Sequence, residues 1–124
     1  MKPLLIATAV IEFGAGLGLL CVPSAAAVLL LGAPLDTSTA LTATRVGGLG
    51  LLTLGVACWL ARNDGRSSAA QGLANAMVIY NAGAAGVLAY AGIGLGLRGV
   101  ALWPVVALHT VMATWCIARF VGKR

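Results

Sequence analysis

The chain has 124 residues, of which 60% are hydrophobic and only 9% are charged, and its mean hydropathy is +1.01. A soluble domain carries roughly 25% charged residues, so this chain has too few polar side chains to cover a water-facing surface. Its formal charge of +5 is carried mainly at the ends of the apolar segments, which favours an orientation signal in a membrane over binding of nucleic acid. The composition predicts an all-α membrane protein.

The first apolar segment is predicted to span the membrane over residues 4–22. Pro3 suits the first turn of a helix, where its missing N–H removes no hydrogen bond. Glu12 interrupts the apolar run at its middle, which argues against a cleaved secretory signal. Pro23 can end the helix, so residues 24–31 are predicted to form a short apolar segment that lies at the membrane surface or folds back.

Three further segments are long enough to cross a bilayer, which takes about 20 apolar residues. They cover residues 39–60, 68–95 and 100–121. Together with the first segment, they predict one transmembrane domain over residues 1–124, built as a four-helix bundle. Small residues recur four positions apart in these spans, which favours close helix packing, self-association or contact with other membrane subunits.

The basic residues predict the orientation of the bundle. Six basic residues are predicted to lie on the side that carries both termini, namely Lys2, Arg62, Arg66, Arg119, Lys123 and Arg124. Arg98 falls in a loop on the opposite side, and Arg45 falls inside a span. Because cytoplasmic loops carry the excess of Lys and Arg, both termini are predicted to be cytoplasmic.

Each predicted span carries a polar or ionisable side chain away from its ends. These side chains are Glu12 in the first span, Arg45 in the second, Tyr80 and Asn81 in the third, and His109 in the fourth. At a rise of about 1.5 Å per residue, they could meet in one layer between the midplane and the outer half of the bilayer. A charge at a helix centre costs about 2.5–3.5 kcal/mol on insertion scales, so the layer should face the interior of the bundle.

We predict that Glu12 and Arg45 form a buried ion pair. An arginine can give a forked pair of hydrogen bonds to one carboxylate. Gly48 and Gly55 share a helix face with Arg45, and Gly16 follows Glu12 by one turn, so glycines would let the two helices approach closely. Three roles remain open for this pair: a structural anchor, a ligand, ion or proton site, and a contact with a partner subunit.

His109 is the only histidine in the chain. One histidine is too few for a bis-histidine haem or a catalytic metal centre, which need further ligands. It could contact one pigment or quinone. The simpler alternative is a hydrogen bond to Glu12, Tyr80 or Asn81.

The chain shows no catalytic or metal-binding motif. Its three cysteines form no C-x-x-C pair and fall in or at the ends of apolar segments, where free cysteine packs as a small hydrophobe. No G-x-S-x-G, phosphate-binding loop or H-E-x-x-H sequence is present. The sequence therefore predicts no metal site and favours a non-catalytic protein, and it does not identify a cofactor.

Two stretches of the chain resemble segments of small bacterial membrane proteins. Residues 11–20, IEFGAGLGLL, resemble the glutamate-plus-small-residue segment of DoxX-like four-helix proteins. Residues 45–55, which begin RVGG and end LG, resemble the arginine–glycine opening of a span in related small families. The resemblance implies a four-helix bundle in a bacterial inner membrane, with Glu12 and Arg45 in its polar core. Some DoxX-like members serve quinone or thiol redox systems, but this chain lacks their paired-cysteine motif.

Three functions follow as hypotheses. The first is a non-catalytic accessory or structural subunit of a larger inner-membrane complex, because the loops are minimal and several helix faces are rich in glycine. The second is a homo-oligomeric transporter or channel for a small molecule or ion, in which Glu12 binds the cargo or a proton. The third is a quinone-linked redox component that uses His109 and Tyr80.

Overall fold

All the regular secondary structure in the described residues is helical. The computed structural model describes residues 1–64 and 67–121. The helices there are α1 (Lys2–Cys21), α2 (Pro23–Leu31), α3 (Ser38–Ala61), α4 (Ser68–Ile93) and α5 (Leu102–Val121). Helices α1, α3, α4 and α5 are long and apolar enough to cross a membrane, and their ends lie within two residues of the predicted spans. Of the basic residues used to predict orientation, Arg66, Lys123 and Arg124 lie outside the described residues.

The helix ends are set by local sequence signals. Thr37 and Ser67 cap α3 and α4, each accepting a hydrogen bond of 3.1 Å from the backbone N–H three residues later. Pro23 begins α2, since a proline at the first helical position gives up no intrahelical bond. Gly32 ends α2 with a φ of 80°, a left-handed conformation that glycine adopts without a Cβ penalty.

Helices α1 and α3 pack antiparallel and at very close range. A Cβ atom added to Gly16 would lie 2.8 Å from the carbonyl oxygen of Gly48, and one added to Gly48 would lie 2.8 Å from the carbonyl oxygen of Gly16. Farther along, a Cβ on Gly55 would lie 3.2 Å from the carbonyl oxygen of Ala9. Glycine is needed at these crossings because any side chain would push the two backbones apart.

Helices α4 and α5 form the second antiparallel pair. Gly92, near the end of α4, lies against Leu102 and Trp103 at the start of α5.

The two ends of the bundle differ in what they hold. We call the end that holds Met1, the connection after Ala61 and the end of α5 the terminal end. The α2 end is the opposite one, where α2 and residues 94–101 lie.

A packed apolar core joins the two pairs near the terminal end. Its buried members are Leu4, Leu5, Ala9, Cys58, Met77, Met112 and Cys116. The Cys58 Sγ and Met77 Sδ atoms are 4.0 Å apart. Cys58 and Cys116 therefore pack as small core residues, whereas Cys21 is exposed, and all three thiols are free.

Helix α2 folds across the α2 end of the bundle. The backbone carbonyl of Leu29 accepts a hydrogen bond of 2.9 Å from Ala101 N–H. Gly99 lies against the backbone of Leu30 so closely that any side chain there would overlap it. The segment predicted to lie at the membrane surface is therefore a nine-residue helix fixed to the connection between α4 and α5.

Candidate functional site

A cavity separates the two helix pairs between the polar side chains and α2. Its volume is about 470 Å³, within the range of roughly 300–1,000 Å³ typical of small-molecule sites. Four helices supply most of its walls, and α3 contributes only Leu51. Its apolar lining includes Ile11, Leu19, Leu29, Leu30, Leu88 and Val105. Small residues from three helices, Ala15, Ala26 and Ala84, face the same space and leave it unfilled.

Part of the cavity wall reaches the outer surface of the bundle. The lining residues Leu29, Val87 and Leu108 have exposed fractions of 55%, 68% and 37%. The cavity is therefore a recess between the helix pairs that opens onto the apolar exterior, and it is not a sealed void.

The polar side chains Glu12, Tyr80 and His109 line the cavity on its side toward the packed core. Glu12 is buried on α1, and its Oε2 accepts a hydrogen bond of 3.2 Å from the Tyr80 hydroxyl of α4. The Tyr80 and His109 rings meet edge to face, with centroids 5.6 Å apart. One side chain from each of three helices thus meets the others in a single cluster.

Asn81 does not line the cavity, and it fixes the orientation of the His109 ring through a hydrogen bond. The Asn81 Nδ2 donates a hydrogen bond of 2.8 Å to the backbone carbonyl of Met77, one turn earlier on α4. The Asn81 Oδ1 then lies 2.8 Å from His109 Nδ1. Because a backbone carbonyl can only accept, the amide orientation is fixed, and Nδ1 of His109 must carry the hydrogen in this contact. In the neutral imidazole the free Nε2 is therefore an acceptor.

The predicted ion pair between Glu12 and Arg45 does not form. The partner of Glu12 is Tyr80, and Arg45 is exposed on α3. The reason is axial register: Gly16 meets Gly48, so the α3 residue level with Glu12 is close to Leu52. Arg45 lies seven positions before Leu52, or roughly 10 Å along the helix axis. Of the predicted polar layer, the structure brings together Glu12, Tyr80, Asn81 and His109 and leaves Arg45 apart.

Thr8 adds one polar atom behind the cluster. It precedes Glu12 by one helical turn, and its Oγ1 is fully buried. Among the described residues, it is the one such side-chain atom that lacks a hydrogen-bond partner. Glu12 Oε1 and His109 Nε2 also have no hydrogen-bond partner among the described residues. Because they are not fully buried as Thr8 Oγ1 is, both atoms keep some accessible surface, as expected for groups that line a cavity.

The cluster offers hydrogen bonding and one carboxyl group, and it offers no metal centre. In residues 1–64 and 67–121, no three His, Cys, Asp or Glu side chains are placed to hold a metal ion. The apolar walls of the cavity were not predicted from the sequence, and the wall formed by α2 is the main one that was missed. The available signal was the set of alanines in otherwise bulky apolar segments, which marks where helices meet without filling the space between them.

No protein-family model, curated protein or solved structure matches this chain. The resemblance to DoxX-like proteins stays a prediction.

Proposed function

We propose that this chain is an integral membrane protein that binds an apolar small molecule between its two helix pairs. The observation that carries the proposal is the cavity of about 470 Å³, with apolar walls and a polar cluster at one side. Such a combination, a mostly apolar recess with a few convergent polar groups, is the usual form of a small-molecule site.

The proposed setting is a bacterial inner membrane with both termini in the cytoplasm. Four helices have the length and hydropathy to cross a bilayer. Lys2, Arg62 and Arg119 lie toward the terminal end, and Arg98 lies at the α2 end, which supports a cytoplasmic terminal end. The Arg62 guanidinium stacks 4.0 Å from the centroid of the Trp59 ring, an arrangement suited to the interface between lipid and water.

The test is binding of a fluorescent apolar probe, aminoanthracene, to the purified protein in lipid nanodiscs. Ala84 lines the cavity, whereas Ala82 on the same helix is exposed and does not. The wild-type protein and Ala82→Phe should bind the probe saturably. Ala84→Phe should bind it about tenfold more weakly or worse, because the added ring occupies the space that the ligand needs. Equal binding by the two variants, or no saturable binding by the wild type, would refute the proposal.

Transport is a second candidate, favoured by the position of Glu12 on the cavity wall. A carboxyl group within a membrane helix is costly and commonly marks an ion, proton or substrate path. If this protein transports its ligand, Glu12→Gln should abolish flux in proteoliposomes while Arg45→Gln, which alters a side chain outside the cluster, should not. Unchanged flux in Glu12→Gln would remove this candidate.

The accessory-subunit hypothesis stays a prediction. Several glycines on α3 and α4 face open space, namely Gly47, Gly50, Gly83 and Gly86. Such faces can accept a neighbouring helix at close range, and they can equally lie against lipid.

A further inference from the structure

The polar side of the cavity presents hydrogen-bond acceptors. The Asn81 amide fixes the hydrogen of the neutral His109 ring on Nδ1, which leaves the Nε2 lone pair unused. The Tyr80 hydroxyl has one hydrogen, and it is committed to Glu12 Oε2. The second carboxyl oxygen, Oε1, is left without a partner in the described chain. A ligand that satisfies an ionised Glu12 at Oε1 and the lone pair of His109 Nε2 must bring donors.

The same side of the cavity also lacks a positive charge. Glu12 is 1% exposed, and none of the residues that line the cavity is Lys or Arg. Arg45 lies roughly 10 Å away along the axis of α3. A buried carboxylate is costly unless a cation or a set of donors accompanies it. The structure supplies one donor, the Tyr80 hydroxyl, and no cation from the cavity walls.

We infer that the ligand is an apolar molecule that ends in a protonated amine, with its ammonium group bound between Glu12 and His109. This inference rests on the proposed binding function and adds the chemistry of the ligand head. The ammonium group provides the positive charge that the cavity walls do not supply to Glu12, and it provides an N–H donor for Nε2 of His109. The apolar body of the molecule lies along Leu19, Leu88 and Val105 on the cavity walls.

The geometry disfavours the quinone carbonyl that the sequence allowed as a ligand of His109. A carbonyl needs a donor, and the only N–H of the neutral His109 ring is engaged by Asn81. A carboxylate head is disfavoured more strongly, because it would place a second negative charge beside Glu12.

The test uses four ligands that share a naphthalene body and differ only in the head. They are naphthylmethylamine, naphthylmethanol, methyl naphthyl ketone and naphthoate. Each is titrated against aminoanthracene bound to the wild-type protein in nanodiscs of neutral phosphatidylcholine. The signal of Ala84→Phe, in which the cavity is blocked, is subtracted to remove the contribution of ligand partition into lipid.

The amine should displace the probe with an affinity about tenfold higher than that of the alcohol, or more, since hydrogen bonds to a charged group are the strong ones. The ketone should be weaker than the alcohol, and the carboxylate weakest.

The matched variant is Glu12→Gln. Glutamine keeps the size of the side chain and an acceptor oxygen for Tyr80, and it removes the charge. The preference for the amine should fall to within about threefold of the alcohol, while binding of the alcohol persists. If Glu12→Gln does not fold, the ranking of the four heads on the wild type still decides.

The outcomes separate the two proposals. Equal displacement by all four ligands, or a preference for the ketone, would overturn the amine inference and leave the binding function standing. An amine preference that is unchanged in Glu12→Gln would overturn the role of Glu12 as its counter-charge. Absence of any saturable probe binding would overturn the binding function and the inference together.

Discussion

The two halves of the bundle are built from the same four long helices and pack in opposite ways. Toward the terminal end, Leu4, Leu5 and Met77 fill the space between the helix pairs and are fully buried. Toward the α2 end, Ala15 and Ala84 face the same interface and leave a cavity of about 470 Å³. Apolar side chains line the interface in both halves, and what differs is how completely they fill the space between the helix pairs.

This contrast shows where the bundle derives its stability. Between helices in a membrane, association depends on close packing and hydrogen bonds, because lipid tails are as apolar as the side chains. A space without atoms forfeits dispersion contacts on all its walls. The packed half and the close crossing of Gly16 and Gly48 therefore hold the fold, and the hollow half contributes fewer packing contacts to it.

The largest expected effect is truncation of a leucine in the packed half. Leu5→Ala should lower the free energy of unfolding by about 2–5 kcal/mol, because it removes contacts and leaves a new void. Leu88→Ala, the matched change on the cavity wall, should cost less than Leu5→Ala because space is already present there. Titration of both variants with a denaturing detergent, followed by circular dichroism, measures the difference. Equal losses would mean that the two halves are packed alike.

An intermediate effect is expected from enlarging an alanine in each half. Ala9→Leu places three added carbon atoms in a site that is 1% exposed and should cost about 1–3 kcal/mol by overpacking. Ala84→Leu directs the same atoms into the cavity and should change the free energy of unfolding by less than about 0.5 kcal/mol. The same detergent titration applies. A large loss in Ala84→Leu would show that the hollow half is closed in the membrane.

The smallest effect is expected at Arg45. Because this side chain is exposed and does not pair with Glu12, Arg45→Gln should change the free energy of unfolding by less than about 0.5 kcal/mol. Arg98→Gln, another exposed arginine at the α2 end, is the control. Breaking a buried ion pair would instead cost about 3–5 kcal/mol, so a loss of that size would restore the predicted pair.

Much of this architecture could be predicted from the sequence. Hydropathy and the prolines placed the four long helices, since span length and the signal at Pro23 are local properties. The polar cluster was predicted in part. Glu12, Tyr80, Asn81 and His109 share a depth, and depth follows from counting residues at a fixed rise.

The rest depends on contacts between residues that are distant in the chain. Whether Arg45 reaches Glu12 is decided by the register of α3 on α1, and the meeting of Gly16 with Gly48 sets that register. Several glycines in each helix could have formed this crossing, and the sequence does not rank them. The cavity is equally non-local, because it arises where alanines of three separate helices face one another.

The exposed wall residues of the cavity determine the concentration scale on which the affinity of any ligand should be expressed. Helix α2, tied to Ala101 and Gly99, covers the end of the bundle, while Leu29, Val87 and Leu108 leave the recess open at its side. A ligand of this protein would then equilibrate with the hydrocarbon phase before it meets Glu12. Its occupancy would follow its mole fraction in the lipid, and an apparent affinity expressed per volume of water would rise or fall with the amount of lipid in the sample.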